Sequence, residues 1–143
     1  NKKLPFRERD SERYEIVKNR IHYITKLEMQ DRLPFSGFVA NFDGKQIQNK
    51  EELFRFLEKN VGLPDANNWL SITDWLTDLS WIKAEEYNFI LENYDSFLKD
   101  DLSSKDLFLE ILEEDILPWW ECDVEKHVVG SKVKSFQVYI VEN

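Results

Sequence analysis

NNWLSITDWLTDLSW, residues 67–81, is the stretch that decides the fold. Its apolar residues recur every three or four positions, which is typical of an amphipathic helix. At about 100° per residue, one side of that helix holds the residues expected in the core: Trp69, Ile72, Trp75, Leu76 and Leu79. The opposite side consists of Leu70, Thr73, Asp74, Thr77 and Asp78. The stretch therefore predicts a helix with a core side and an acidic outer side that includes one leucine.

The outer side of this predicted helix combines like charges without a compensating cation. Asp74 and Asp78 are four residues apart, and no basic residue occurs between Asp65 and Asp78. Like charges at this spacing destabilise an isolated helix by roughly a few tenths of a kcal/mol. A purely structural surface would gain from a lysine at either position, so the pair points weakly to a function. The alternative is an ordinary solvated face.

The overall charge favours a basic partner. The 143 residues, enough for one domain, have a net charge of −9. Residues 65–115 hold 14 acids against 3 lysines, whereas residues 1–35 hold 9 basic residues against 6 acids. An acidic surface repels nucleic acid and anionic membranes, so we expect neither as a direct partner. The alternative interpretation is that the charge only maintains solubility.

The chain has the features of a cytoplasmic protein. It has no run of about 18 apolar residues that would span a membrane, and its first residues have no apolar signal core. Its single cysteine, Cys122, excludes a disulfide within the chain, which fits a reducing compartment. Because Cys122 lies beside Trp119 and Trp120, we expect a packed structural thiol.

Residues 38–143 are predicted to form an α/β domain. Buried strands are expected at residues 38–44, 87–93 and 135–141. Helices are expected from Asn49, a good N-cap, to the stop signal Gly62–Pro64, over the stretch quoted above, and at residues 103–116 with Ser103 or Ser104 as the cap. Strands joined by helical crossovers predict a three-stranded, mainly parallel sheet covered by the helices.

Residues 1–37 are expected to be an N-terminal extension of this domain. Residues 10–29 place Tyr14, Val17, Ile21 and Ile24 at helical spacing, with Asp10 or Ser11 as the cap. The end of that stretch, IHYITKLEM, is equally compatible with an extended strand. Three roles stay open for the extension: an extra helix on the sheet, a wider partner interface, or a dimer contact.

The sequence offers no enzyme motif. The four glycines form no phosphate-binding loop, and neither His22 nor His127 has a metal-ligand neighbour at a suitable spacing. Carboxylates at helical spacing on residues 103–116, including Glu110 and Glu114, indicate a solvated face rather than an acid–base site. Trp69, Trp75 and Trp81 are expected in the core, because a base-stacking surface would be basic. We therefore expect no catalysis, no cofactor and no metal.

Several motifs resemble the barstar family, the intracellular inhibitors of barnase-type ribonucleases. NFDGKQIQNKEELFRFLEKNVGLP is similar to that family's first strand, its DG-x-x-I turn and its first helix ending in Leu-Pro. NNWLSITDWLTDLSW is similar to the helix that follows, and a Leu-rich helix and a final strand come next in the same order. The resemblance covers about 105 of the 143 residues and leaves out the N-terminal 37.

The resemblance implies that this chain blocks a ribonuclease. In that family the helix after the Leu-Pro turn enters the basic cleft of the enzyme, where its acids stand in for RNA phosphates. By position, Asp74 matches the central aspartate of that helix and Asn68 the asparagine at its start. Asp78 matches an acid that is frequent in the wider family, and Glu114 matches a peripheral contact. Asn68 has an alternative role as the helix N-cap.

The departures from the family pattern imply a different cognate enzyme. The loop PDANNW is about two residues shorter than the family's loop and lacks its tyrosine and glycine. Leu70 replaces the family's first helical aspartate, and Thr73 replaces the tryptophan before the central acid. We therefore expect a one-to-one complex with a ribonuclease toxin that has an apolar notch for Leu70 and attracts Asp65. The alternative is a regulatory or scaffold protein that uses the same fold to bind another basic partner.

Overall fold

Four parallel strands form the central sheet in the computed structural model, which describes residues 18–142. The sheet order is β1-β4-β3-β2, and all three pairings are parallel. The strands are β1 (Ile21–Thr25), β2 (Phe38–Asp43), β3 (Glu86–Glu92) and β4 (Ser135–Glu142). The predicted α/β class is confirmed, and the number of strands is corrected from three to four.

Among the described residues, five α-helices connect or extend these strands. They are α1 (Lys26–Asp31), α2 (Lys50–Phe56), α3 (Trp69–Leu76), α4 (Leu102–Ile111) and α5 (Val124–His127). A short 3₁₀ turn, Gly44–Gln46, follows β2, and π-helical turns occur at Leu57–Val61, Leu112–Ile116 and Trp119–Asp123. No helix among residues 18–142 is both long enough and apolar enough to cross a membrane.

The fourth strand comes from the N-terminal extension. Residues 21–25 pair with β4 in parallel, with Ile21 opposite Val138, so the helix expected at residues 10–29 is wrong here and the extended alternative is right. The preceding segment is anchored by Asn19, whose Nδ2 donates to Leu117 O and Lys134 O, both at 3.1 Å. These long-range bonds hold the segment on the sheet. The proposed caps at residues 10 and 11, and the helical positions 14 and 17, lie outside the described residues.

The short helix α1 begins directly after β1. The Thr25 hydroxyl accepts from Glu28 N at 3.1 Å, and the Glu28 carboxylate accepts from Thr25 N at 2.8 Å. This reciprocal capping box satisfies two backbone donors and ends the strand. The helix predicted for residues 10–29 is therefore present over residues 26–29, and it continues two residues further, to Asp31.

The main core lies between one face of the sheet and the helices. Phe42, at the centre of this layer, is fully buried and packs against the rings of four other phenylalanines. Their centroids lie 4.4–6.3 Å from that of Phe42: Phe56, Phe89, Phe97 and Phe108. A smaller apolar cluster covers part of the opposite sheet face: Ile24, Ile90, Tyr139 and Val141, with Met29, Phe35 and Val39 packed against it.

Two local predictions in the C-terminal half are wrong. The residue that precedes α4 as its N-cap is Asp101, so Ser103 and Ser104 lie inside the helix. Cys122 is exposed, because Trp120 and Val124 occupy the buried side of that segment. The thiol of Cys122 lies 3.3 Å from the Asp123 carboxylate, and this hydrogen bond raises the pKa of the thiol above its ordinary value.

Candidate partner-binding site

The core side of α3 is confirmed. Ile72 and Leu76 are fully buried, and Trp69 packs edge-on against Phe54 with ring centroids 5.0 Å apart. Trp120 also contributes, because its Nε1 donates to Leu76 O at 2.9 Å. That carbonyl would otherwise be one of the unpaired acceptors at the end of the helix. The helix is therefore held against the core along its length, and its outer side faces away from the core.

Asn68 has the capping role that was the alternative to partner contact. Its Oδ1 accepts from Ser71 N at 2.8 Å, and Ser71 Oγ donates to Asn68 O at 2.9 Å. The side-chain oxygen of Asn68 thus satisfies a free N–H group in the first turn of α3. Asn68 is itself exposed, and its contact with a partner stays a prediction.

Replacing Asn68 with alanine is expected to lower the free energy of unfolding by about 0.5–2 kcal/mol, because the N-cap bond is lost. Urea unfolding followed by tryptophan fluorescence measures this change. Asn68→Asp is the matched control, because aspartate keeps a capping oxygen and should retain nearly all of the stability. Equal stability of the alanine variant and the wild type would contradict the capping role.

The helix ends earlier than its sequence predicts. α3 stops at Leu76 rather than continuing to residue 81, and Leu79 adopts a left-handed conformation with a φ of 51°. This backbone turn places the Leu79 side chain in the core, where only 1 % of it is exposed. Burial of Leu79 outweighs the cost of the left-handed conformation, which is of order 1–3 kcal/mol.

The early end of α3 corrects the positions of Trp81 and Asp78. Trp81 packs edge-on against Trp75 and donates from Nε1 to Val61 O at 2.9 Å. It remains 36 % exposed, so its assignment to the core is wrong. Asp78 lies two residues beyond the helix and accepts from Ser80 Oγ at 3.3 Å. The predicted spacing of two acids within one continuous helix therefore does not hold, although Asp78 N still bonds to Trp75 O at 3.1 Å.

The outer side of α3 and of the turn that follows it presents one apolar side chain and two acids. Leu70 is 72 % exposed, and Asp74 and Asp78 are both exposed. Thr73 and Thr77 are half-buried, and their hydroxyls donate to carbonyls of the helix, Thr73 to Trp69 O at 3.0 Å and Thr77 to Thr73 O at 2.9 Å. The hydroxyl donors of both threonines are therefore already used within the helix. The charge of this side comes from the carboxylates of Asp74 and Asp78.

The carboxylates of this surface have no cationic neighbour in the part of the chain that the structure describes. Among residues 18–142, no lysine or arginine nitrogen lies within 4 Å of the Asp74 or Asp78 carboxylate. Within the same residues the Asp74 carboxylate also accepts no hydrogen bond. Asp65 is half-buried, and its Oδ1 lies 3.5 Å from Trp75 Nε1, at the limit of a hydrogen bond.

Arg55 and Glu58 shape the loop before α3, and the sequence analysis did not identify them. Arg55 Nη2 donates to Ala66 O at 2.8 Å, and Glu58 Oε2 accepts from Ala66 N at 2.8 Å. The two side chains also pair with each other at 3.0 Å. Their opposite charges, three residues apart on a predicted helix, indicate from sequence that the two side chains can pair. This network holds the Arg55 guanidinium against the backbone of the loop.

Glu114 lies on a neighbouring segment. The π-helical turn Leu112–Ile116 packs against α3, with Leu112 and Ile116 fully buried. Its three acids, Glu113, Glu114 and Asp115, are therefore exposed. The structure thus places acids on two adjacent elements. Within residues 18–142, no group of three or more His, Cys, Asp or Glu side chains is arranged to hold a metal ion.

The comparisons with known proteins identify one family. The family model described as Barstar (barnase inhibitor) matches residues 37–139, which is well over half of the chain. Neither the curated proteins nor the solved structures yield a match to this sequence. The match begins after β1 and α1, so these two elements lie outside the part of the chain that the family model covers.

Proposed function

Because the chain belongs to the barstar family, we propose that it is an immunity protein that binds a cognate ribonuclease toxin one to one and blocks its active site. Members of the family bind ribonucleases as inhibitors and are not enzymes. In this proposal α3 and the residues that flank it enter the basic cleft of the toxin. The chain itself contributes no catalytic group and needs no cofactor.

One observation carries this proposal: the exposed Leu70 and two exposed acids, Asp74 and Asp78, lie on the outer side of α3 and the turn after it, and α3 itself is packed firmly against the core. The carboxylates of Asp74 and Asp78 lack a lysine or arginine partner among residues 18–142, so the chain's own structure leaves their charge uncompensated. A basic cleft would supply the missing partners. An apolar anchor with a charged surround is also the arrangement expected of a tight protein interface.

The mechanism is steric and electrostatic. Asp74 occupies the position that an RNA phosphate takes when the enzyme binds its substrate. Asp65, Asp78 and Glu114 add attractive charge. Asn68, Thr73 and Thr77 complete the contact surface at the start and along the side of α3. The net charge of −9 accelerates the encounter with a basic enzyme, and this acceleration decreases as salt is added.

Leu70 is expected to determine which toxin is recognised. Leu70→Ala should weaken inhibition by about 10- to 100-fold, because an apolar notch in the toxin would lose a buried leucine side chain. Inhibition constants from RNA cleavage measure the effect. The stability of the protein should change by less than about 0.5 kcal/mol, since the side chain is 72 % exposed.

Leu102→Ala is the matched control for Leu70→Ala. Leu102 begins α4 and is 62 % exposed, so the same truncation is made on another surface helix. Inhibition by this control should equal that of the wild type. Similar inhibition constants for both variants would remove Leu70 from the interface and with it the argument for an apolar notch.

The direct test uses the product of the adjacent gene as the candidate toxin, if that gene encodes a basic chain with a nuclease-like domain. RNA cleavage by that product is followed while the full-length protein is titrated. Cleavage that falls linearly to zero at one equivalent supports the proposal. Cleavage that continues in excess protein argues against this toxin. A stable complex with a basic protein that is not a nuclease would instead favour the regulatory or scaffold function.

A further inference from the structure

The sheet face opposite α3 contains a cleft. The apolar cluster around Tyr139 covers the part of this face near the carboxyl ends of β1, β3 and β4. Near the amino ends of these three strands, the face carries the polar side chains of His22, Asn88 and Gln137, and it borders an open cleft of about 560 Å³. Ligand pockets for small molecules typically have volumes of about 300–1,000 Å³. The cleft is therefore large enough for a small organic anion.

The lining of this cleft is basic, although the chain is acidic overall. Lys18, Arg20 and Arg32 line it, and Glu86 is the one carboxylate among its described lining residues. Within residues 18–142, none of the three cations forms an ion pair shorter than 4 Å. Three cations against one acid in a protein with a net charge of −9 form a local region of positive potential.

The floor of the cleft is held rigidly by side-chain hydrogen bonds. Gln137 Oε1 lies 2.7 Å from His22 Nε2, and Gln137 Nε2 donates to Lys18 O at 2.9 Å and to Ser135 Oγ at 3.1 Å. Asn88 Nδ2 donates to Ser36 O at 2.8 Å, which fixes the loop on the other side. The floor and one wall are thus organised before any ligand arrives.

His22 is one of the residues that line the cleft. It stacks on Tyr139 with ring centroids 4.7 Å apart. Burial lowers the pKa of His22, and the guanidinium groups of Arg20 and Arg32 lower it further, against the opposing effect of the hydrogen bond to Gln137. Arg20 directly precedes β1 and Arg32 directly follows α1, so the two guanidinium groups reach the cleft from separate segments of the chain.

We propose that this cleft binds the phosphate group of a small phosphorylated molecule. Guanidinium groups match phosphate oxygens in paired hydrogen bonds, and an added lysine increases the affinity for a doubly charged anion. Seven lining residues belong to residues 18–36, before the start of the family match: Lys18, Arg20, His22, Arg32, Pro34, Phe35 and Ser36. The N-terminal extension thus builds a site that is independent of the proposed inhibitory surface.

The test measures binding of three probes to the full-length protein by calorimetry at low ionic strength: inorganic pyrophosphate, adenosine 5′-monophosphate and adenosine. Pyrophosphate and the monophosphate are expected to bind, and adenosine is not. The double variant Arg20→Gln with Arg32→Gln should weaken this binding by about tenfold or more, since charge-assisted hydrogen bonds are lost. The double variant Lys83→Gln with Lys99→Gln has the same net charge and changes two exposed lysines outside the cleft lining, so it should bind like the wild type.

Location is tested on the wild-type protein, so the result does not depend on how the variants fold. Pyrophosphate should shift the NMR signals of the side-chain amides of Gln137 and Asn88 and of the His22 ring. Absence of binding at about 10 mM ligand, equal binding of adenosine, or equal weakening in both double variants would overturn the proposal. Inhibition of a ribonuclease should be the same for the arginine variant and the wild type, which separates this site from α3.

Discussion

Replacing Asp74 with alanine is expected to weaken inhibition of the cognate ribonuclease by about two to four orders of magnitude. Removal of one partner from a buried, hydrogen-bonded charge pair costs about 3–5 kcal/mol, because the remaining charge loses its counterion. In the proposed complex, the remaining charge would be the basic group with which the enzyme binds phosphate. Inhibition constants for the wild type and the variant, from RNA cleavage at several protein concentrations, measure the effect.

The same substitution should leave folding nearly unchanged. Asp74 is exposed, and its carboxylate accepts no hydrogen bond within residues 18–142, so the free energy of unfolding should change by less than about 0.5 kcal/mol. A large loss of inhibition with an unchanged unfolding midpoint therefore separates a contact residue from a structural one.

Two further variants make the Asp74 experiment specific. Asp74→Asn keeps the shape of the side chain and removes its charge, so it should inhibit almost as poorly as the alanine variant if charge is the cause. Asp31→Ala removes an exposed aspartate at the end of α1, on the other side of the sheet, and should inhibit like the wild type. Full inhibition by Asp74→Ala would exclude the mechanism in which α3 blocks the cleft.

Replacing Phe42 with alanine is expected to lower the free energy of unfolding by about 3–5 kcal/mol. Phe42 is completely buried on β2, and its ring contacts connect the sheet to α2 and α4 through Phe56 and Phe108. Removal of the ring would leave a cavity that the neighbouring rings can fill only in part. Because a domain of this size is stabilised by about 5–15 kcal/mol, this one change could remove most of its stability.

Urea unfolding at 25 °C measures the effect of Phe42→Ala. Phe42→Leu keeps more of the apolar volume and should cost less, while Val129→Ala, at a fully exposed valine, should cost less than about 0.5 kcal/mol. A loss below about 1 kcal/mol for Phe42→Ala would show that the ring cluster collapses around the deleted side chain. Where the variant is folded it should still inhibit, because Phe42 lies beneath the proposed interface rather than in it.

Much of the candidate site could be predicted from sequence because helical periodicity separates inside from outside. Ile72 and Leu76 point into the core and Leu70 and Asp74 point away from it, as the spacing of apolar residues indicates. Asn68 precedes the helix in the position where a capping residue is expected, and it caps. These features depend on residues within one or two turns of each other, so local sequence contains the information.

Local sequence is a poor guide where distant residues compete with local preference. Leu79 leaves the helix because the core has room for its side chain, and this turn also moves Asp78 beyond α3 and leaves Trp81 partly exposed. The network of Arg55 and Glu58 around Ala66 likewise depends on the packing of a loop against α2. The local sequence shows neither the space in the core for Leu79 nor the loop residue, Ala66, that Arg55 and Glu58 bind.

The sequence by itself determined the α/β class, the order of the last three strands and the three longer helices between them, the membership in a family of ribonuclease inhibitors and the acidic outer side of α3, but not the short helix α5. Only the tertiary structure decided that Ile21–Thr25 is a fourth strand, because IHYIT is compatible with helix and strand until β4 offers its backbone groups for pairing. The basic cleft follows from that pairing, since it brings Arg20 and His22 beside Gln137 and Tyr139, more than 100 positions away in the chain. Hydrogen bonds across such separations form only when the whole chain is folded, and no local pattern encodes them.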